Sequence, residues 1–333
     1  MLVVGGAGYV GSHMCLRLHE AGHRITVLDN LSSGHRQLAR WGEFVHGALE
    51  DRPLVEMLLK SRAIDVVMHF AAMSEVGQSV ADPYMYYRSN VVATLGLLEA
   101  MRAQGVTRLI FSSTAAVYGD PQSARIAEDH PRRPVNPYGK TKLAIEYILE
   151  DASTGYGLHA VSLRYFNAAG ADPLARIGEH HDPETHLIPR LLRKAAGEAI
   201  DVRIFGSDYP THDGSCIRDY VHVCDLADAH LQAFHFSQRA PGFHAFNLGS
   251  GQGYSVREVI RAVERVTGCR MAVPCAGRRV GDPAALVADS DRAAAELGWM
   301  PRYQDIDRIV EDAWRWQQRG VSAQALPMAA LLA

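Results

Sequence analysis

A tyrosine and a lysine, four positions apart, have the residue types and spacing for proton transfer. Tyr138 and Lys142 lie in a segment that predicts a helix, where residues four apart share one face. A phenol has a pKa of ~10 in water and is a poor base at neutral pH. A nearby ammonium group and the positive ring of a bound cofactor would both favour the phenolate and lower that pKa. Thr114, which ends a predicted strand after Ser112 and Ser113, is placed to bridge a substrate hydroxyl to the tyrosine.

A second group of residues, at the start of the chain, has the spacing of a phosphate-binding turn. Gly5, Gly8 and Gly11 are three positions apart, between an apolar strand at 2–4 and an amphipathic helix at 12–21. Glycine lets a strand-to-helix turn be tight and lets the backbone approach a pyrophosphate. The helix N-terminus adds free N–H groups and a partial positive charge. This pattern is typical of a dinucleotide-binding fingerprint.

An acid after the second strand indicates which dinucleotide binds. Asp29 ends the predicted strand at 24–28, 18 residues after Gly11. A carboxylate near this position holds the adenosine ribose hydroxyls and repels a 2′-phosphate. The sequence therefore favours NAD over NADP, although Arg36 lies close enough to keep NADP open as an alternative.

Strands and helices alternate through the first half of the chain. Further strands are predicted at 41–47, 64–70, 108–111 and 159–163, and helices at 52–61, 83–104 and 136–151. We predict an α/β fold: a doubly wound parallel Rossmann sheet with a smaller, mixed α/β C-terminal substrate domain. The predicted domains are 1–168, which binds NAD, and 169–320, with 220–250 packing back on the first domain. The tail at 321–333 is predicted to be poorly ordered.

Composition excludes several other classes of protein. The chain has 333 residues, 34 basic and 37 acidic, with a net charge of −3 and no block of like charge. Neither a nucleic-acid partner nor a membrane partner is expected. The five cysteines lack the spacing of a disulfide scaffold or a zinc site, so we expect cytoplasmic thiols. His180, His181 and His186 lie in a polar loop without a regular ligand pattern, and no metal is expected.

These motifs together resemble the extended short-chain dehydrogenase/reductase family, and most closely its UDP-glucose 4-epimerase members. The resemblance spans nearly the whole chain in the expected order. Its segments are 5–13, 28–31, 112–119, 138–142, 164–167, 208–211, 218–223 and 278–283.

The resemblance implies a role for each matching residue. Tyr138 would be the base for the sugar 4′-hydroxyl, Thr114 would position that hydroxyl, and Lys142 would hold the nicotinamide ribose and tune the tyrosine. NAD contacts are implied for Gly5, Gly8, Tyr9, Val10, Gly11, Asp29, Asn30, Ser33, Phe70, Ala71, Asn90, Ser112, Tyr138, Lys142 and Tyr165. Substrate contacts are implied for Thr114, Tyr138, Asn167, Leu187, Phe205, Arg218, Tyr220, Arg279, Asp282 and Leu286. Two of these are arginines, whose guanidinium groups pair well with diphosphate oxygens.

The implied activity is reversible epimerisation of UDP-galactose and UDP-glucose at C4, with slow turnover of UDP-N-acetylhexosamines. A homodimer is also implied, built from helices near 83–104 and 138–151, with Leu95, Leu98, Ile145 and Ile148 shared between core and interface. Two positions depart from the family pattern: Val4 replaces a threonine, and Ala48 replaces the acid expected beside the adenine.

Rival functions on the same scaffold differ at single positions. Dehydratases carry an Asp-Glu pair after the hydroxyl residue, where this chain has Ala115 and Ala116. An NADPH-dependent reductase is disfavoured by Asp29. A non-enzymatic NAD-sensing regulator typically lacks the catalytic tyrosine, and Tyr138 is present.

Overall fold

A seven-stranded parallel sheet forms the centre of the molecule. The computed structural model describes residues 1–279 and 281–324. The central strands are β1 (Leu2–Val4), β2 (Thr26–Asp29), β3 (Glu43–His46), β4 (Val67–His69), β5 (Arg108–Thr114), β6 (His159–Tyr165) and β10 (Phe243–Leu248). Their order across the sheet is β10-β6-β5-β4-β1-β2-β3, and every pairing is parallel. The predicted doubly wound Rossmann sheet is confirmed.

Helices cover both faces of this sheet. They are α1 (Tyr9–Glu20), α2 (Arg52–Ser61), α3 (Val76–Ala81), α4 (Pro83–Tyr86), α5 (Ala93–Ala103), α6 (Pro137–Tyr156), α7 (Leu187–Ala195), α8 (Val223–Arg239), α9 (Val256–Thr267) and α10 (Ile306–Gln324). The single helix predicted at 83–104 is α4 and α5 joined by a π-helical segment, Tyr87–Val92. A longer turn of this kind often marks a functional position. The sheet's two faces bury separate apolar clusters, as expected when parallel strands are covered on both sides.

The segment 220–250 contributes to the first sheet. Helix α8 packs on α1, and β10 pairs with β6 at the sheet edge. The chain therefore leaves the central sheet after β6 and returns to it with β10. The division into domains at 168 and 169 stays a prediction.

The remaining strands form two small sheets beside the central one. They are β7 (Asn167–Ala169), β8 (Ile204–Phe205), β9 (Ile217–His222), β11 (Gly253–Ser255), β12 (Cys275–Ala276) and β13 (Ala285–Leu286). Strand β9 pairs with β7, β11 and β13, while β8 pairs with β12. Helices α7, α9 and α10 pack together around a separate apolar core beside these small sheets, which we call the second core. The sequence Ser255-Val256-Arg257-Glu258 has the pattern of a capping box, and the structure contains that capping box at the start of α9.

The last helix extends further than the sequence indicated. It continues to Gln324, into the segment 321–333 that was predicted to be poorly ordered. The rest of that predicted tail, 325–333, lies outside the described residues. Among the described helices, none has the length and apolar character needed to span a membrane.

Candidate active site

The protein itself requires two of the three motif glycines, Gly5 and Gly11, but not Gly8, since a Cβ at Gly11 would lie 2.2 Å from the carbonyl oxygen of Gly5. Gly5 has φ +81°, and a Cβ there would lie 2.5 Å from the amide nitrogen of Ala71. Gly8 has an ordinary extended conformation, φ −80°, and its nearest internal contact to a Cβ would be 3.4 Å away. Helix α1 begins directly after it, without a side-chain cap, so its first N–H groups remain available. This arrangement fits the close approach of a pyrophosphate to Gly8 and the helix start.

Asp29, the last residue of β2, forms hydrogen bonds with this turn. Its carboxylate accepts hydrogen bonds from the backbone N–H groups of Ala7, at 2.9 Å, and Leu31, at 2.8 Å. The acid is therefore held at the edge of the turn, where a ribose would lie. Arg36 instead stacks on Phe44, 4.4 Å from the ring centroid, and donates to a backbone carbonyl. Both observations fit NAD rather than NADP.

Other predicted cofactor residues lie at the ends of neighbouring strands. Asn30 and Ser33 are exposed beyond β2. Phe70 and Ala71 follow β4, and their N–H groups both donate to the carbonyl of Val4. Tyr9 and Val10 open α1.

Two residues that were predicted to contact the cofactor form side-chain hydrogen bonds within the protein. The amide of Asn90, in the π-helical segment, bonds to both backbone groups of Met73 and to Thr141. The Ser112 hydroxyl bonds to the phenol of Tyr165. In this structure Asn90 positions the loop after β4, and whether it also touches the cofactor stays a prediction.

The start of α6 brings the tyrosine to the threonine. Asn136 caps this helix by accepting from the Gly139 N–H at 2.9 Å, and Pro137 occupies its first turn. A Cβ at Gly139 would lie 2.5 Å from the carbonyl oxygen of Ala116, so the helix start presses against the turn after β5. As a result Tyr138 forms a hydrogen bond with Thr114.

Burial dominates the electrostatics of this pair in the protein alone. Burial, with the phenol of Tyr165 nearby, raises the pKa of Tyr138 above its ordinary value, and the hydrogen bond with Thr114 only partly offsets this. Burial also lowers the pKa of Lys142 to about 7. The Lys142 amine donates to the carbonyl of Ser112 at 2.8 Å. The predicted lowering of the tyrosine pKa includes the charge of the bound cofactor ring and stays a prediction.

Sequence reasoning missed a buried ion pair behind these residues. Glu146, one turn after Lys142, accepts from Arg164 of β6 at 2.7 Å, and their side chains are 0% and 3% exposed. Glu146 also accepts from the Ser113 hydroxyl at 2.7 Å, next to Thr114. The pair ties the catalytic helix to two strands of the sheet. The signal was the position of Glu146, four residues after Lys142 on the same helix face.

The predicted substrate residues come from many separate segments of the chain. Asn167 begins β7 and pairs with Tyr220 of β9, whose phenol has a pKa raised by burial. Leu187 begins α7. The guanidinium of Arg279 lies 3.8 Å from the ring centroid of Phe205. Most of these side chains are partly or fully exposed, in contrast to the buried pair of Lys142 and Glu146.

Arg218 and Leu286 lie on neighbouring strands. Arg218 donates to Asp282 at 3.3 Å and to the carbonyl of Pro283 at 2.9 Å. Leu286 pairs with Arg218 in the register of β13 and β9, and it packs against a small apolar cluster that includes Ala115 and Val117. Leu286 is thus close to the turn that follows Thr114.

Comparisons with known proteins agree with this geometry. Residues 1–249 match the NAD dependent epimerase/dehydratase family. A UDP-glucose 4-epimerase of Halalkalibacterium halodurans is 50% identical, over 96% of this chain and 95% of that protein. The crystal structure of UDP-glucose 4-epimerase from Brucella ovis in complex with NAD is 48% identical, with a TM-score of 0.90 over 94% of this chain and 97% of that one.

Another similar solved structure contains both a cofactor and a nucleotide sugar. A UDP-glucose-4-epimerase from Stenotrophomonas maltophila, with bound NAD and formylated UDP-arabinopyranose, is 42% identical. Its TM-score is 0.93, over 97% of this chain and 98% of that one. With the fold, the glycine turn and the Tyr138–Thr114 pair in agreement, the chain belongs to the NAD dependent epimerase/dehydratase family, among its UDP-glucose 4-epimerases.

Proposed function

We propose that this protein interconverts UDP-galactose and UDP-glucose by epimerisation at C4. The observation that carries the proposal is the hydrogen-bonded pair of Tyr138 and Thr114 beside Lys142, at the sheet edge where the glycine turn and Asp29 also lie. Proton-transfer residues and a dinucleotide turn at one edge fit a reversible oxidation of a hydroxyl group.

The chain's own residues hold and move the proton. Thr114 orients the sugar 4′-hydroxyl toward Tyr138, which accepts its proton during oxidation and returns it during reduction. Because burial raises its pKa, the phenol keeps its proton until positive charge lies beside it. Lys142, on the same helix face, supplies part of that charge when it is protonated, and burial lowers its pKa to about 7.

NAD is the cofactor, and the fit of Gly8, the α1 N-terminus and Asp29 supports its binding here. When bound, it supplies reversible acceptance of a hydride from C4 of the sugar. The rest of the substrate would be held by the arginines: Arg218 and Arg279 would bind the diphosphate. Anchoring at that end leaves the 4-keto sugar free to turn over and present its other face.

The structure gives rival chemistry no support. Ala115 and Ala116 follow Thr114, so the added acid and base that dehydration needs are not supplied by these positions. Arg36 is engaged by the ring of Phe44 and by the carbonyl of Ala39.

The direct test is incubation of the purified protein with UDP-galactose, with neither oxidant nor reductant added. UDP-glucose should form, and denatured protein should release NAD. Formation of a 4-keto-6-deoxy sugar, or a requirement for NADPH, would refute the proposal.

We also propose a homodimer formed through α3–α5 and α6. Large apolar side chains are exposed along these helices, at Val80, Tyr84, Tyr87, Val92, Leu95 and Tyr147. Leu98 and Ile145, predicted to be shared with the interface, are only 4% and 1% exposed and belong to the core. Light scattering at micromolar concentration should give a dimer, and Leu95→Arg should give a monomer.

A cytoplasmic location is part of the same proposal. All five cysteines lie in the described part of the chain, and each is a free thiol. Free thiols suit a reducing compartment.

A further inference from the structure

Two glutamates and two histidines converge in the loop between β7 and α7. Glu179, His181, Glu184 and His186, here the acid–histidine cluster, each present one ligand atom, and these atoms all lie within 4.8 Å of one another. Nδ1 of His181 is 3.1 Å from Glu179 and 3.8 Å from Glu184. Nδ1 of His186 bonds to the same oxygen of Glu179.

The loop is anchored so that these groups face one another. The carbonyl of Glu179 accepts from the indole of Trp316 in α10 at 2.8 Å. Glu184 accepts from the backbone N–H of His186 at 2.8 Å, immediately before α7 begins. His180 points elsewhere and stacks edge-on against His35, with 4.2 Å between ring centroids. The cluster is therefore selective, since it includes two of the three histidines in this loop and excludes the third.

The two carboxylates are close together and shielded from solvent. Their side chains are only 7% and 4% exposed, and two close, desolvated carboxylates repel each other. Positive charge placed between them, from a histidine or a metal ion, reduces that repulsion.

We propose that the acid–histidine cluster binds one divalent transition-metal ion of the zinc class. Two imidazole nitrogens and two carboxylate oxygens form a ligand set that zinc, cobalt and nickel accept, whereas magnesium and calcium prefer oxygen alone. Four ligand atoms within 4.8 Å of one another can close around a single ion after small side-chain shifts. This inference departs from the expectation, based on the sequence, that the histidines bind no metal.

The ion would hold together elements of the central sheet's layer and of the second core. His181 lies beside Tyr9, the first residue of α1, with 6.3 Å between ring centroids. His186 directly precedes Leu187 and the start of α7. A metal here would fix the loop against α1, α7 and α10 together, so its role would be structural.

Metal binding can be measured on the full chain after dialysis against a chelator. Zn²⁺ in equilibrium dialysis should bind at one ion per chain, and Co²⁺ should give the visible absorption of a four- or five-coordinate site. Added Zn²⁺ should raise the Tm of the wild-type protein, because a ligand that binds only the folded state stabilises it.

Variants distinguish this site from unspecific binding. Glu179→Gln and His181→Asn should each weaken Zn²⁺ binding by about tenfold or more and remove the rise in Tm. His180→Asn changes the same residue type in the same loop but outside the cluster, and it should bind as the wild type does. If Glu179→Gln does not fold by circular dichroism, His181→Asn decides, since that side chain is 27% exposed.

Two outcomes would overturn the proposal. One is wild-type protein that takes up no Zn²⁺ at about 100 μM, a concentration far above the Kd of a structural zinc site. The other is equal loss of binding in His180→Asn and His181→Asn, which would place the ion outside the cluster.

Discussion

The two sides of the candidate site are built differently. On the cofactor side, Asp29, Asn90 and Lys142 are buried, and each already bonds to backbone groups of the protein. On the substrate side, Arg279 and Asn167 are exposed, and Arg218 is held by Asp282 at 3.3 Å. Residues of the first set lie at the end of a buried strand or in helices packed on the sheet, and those of the second on loops and short strands.

This difference matches what each side has to do. A cofactor that is regenerated in every cycle can stay bound, so its site gains from being rigid in advance. A substrate must enter, turn over and leave, which requires groups whose hydrogen-bonding capacity is still free. The cofactor side should therefore respond to substitution through stability and rate, and the substrate side through KM.

The largest expected effect is on the rate, at the junction of the two sides. Tyr138→Phe removes the proton acceptor but leaves the ring, so kcat should fall by about 10²–10⁴-fold. NAD should remain bound, as measured by nucleotide release on denaturation. A wild-type rate in this variant would show that Tyr138 is not the base.

The next largest effect is on the stability of the cofactor side. Glu146→Gln leaves Arg164 buried without its charge partner, which should cost about 3–5 kcal/mol in the free energy of unfolding. Urea denaturation measures this. Arg132→Ala is the control, because Arg132 lies 3.6 Å from Glu146 but is 27% exposed, so its loss should cost under about 1 kcal/mol. Equal losses in the two variants would contradict the role of the buried pair.

A substitution on the substrate side should act on binding. Arg218→Lys removes the planar guanidinium fork and should raise KM for UDP-galactose by about tenfold to a hundredfold, with less change in kcat. Steady-state kinetics test this, with urea denaturation to confirm unchanged stability. If kcat falls and KM does not move, Arg218 belongs functionally with the cofactor side.

Acid should weaken the cofactor side through its buried histidines. Burial lowers the pKa of His69 to about 3 and of His230 to about 4, below the ordinary 6.5. The unfolded chain therefore binds more protons below pH 6.5, and stability falls as pH drops toward 4. Between pH 6.5 and 5.5 each histidine should cost about 1 kcal/mol, measurable by urea denaturation. His230→Phe should flatten this slope, and an unchanged slope would exclude His230 as a contributor.

The smallest expected effect concerns the end of the sugar pocket. Leu286→Tyr adds bulk and should lower kcat/KM for UDP-N-acetylglucosamine relative to UDP-glucose by about tenfold. Kinetics with both substrates test the ratio. If the ratio does not change, Leu286 does not line the pocket, and its packing against the cluster of Ala115 and Val117 serves only the core.

Local patterns in the sequence predicted the parts of this site that depend on neighbouring residues. The glycine turn, the start of α6 near Asn136 and the capping box at Ser255 were all readable, because each forms within a few residues. Spacing places Glu146 on the helix face of Lys142 but does not identify Arg164 as its partner. That bond depends on chain packing, as does the pairing of Leu286 with Arg218. The raised pKa of Tyr138 in the protein alone depends on packing in the same way, since desolvation is set by the whole fold.

The place of β10 in the central sheet has a consequence for synthesis of the chain. When β6 has left the ribosome, one of its edges is open, and that edge closes only after residues 243–248 follow. Until then the nascent protein exposes unpaired backbone groups and the apolar surface of α1 that α8 later covers. The cofactor-binding half is first in the gene but cannot finish folding until residues 243–248 have been made.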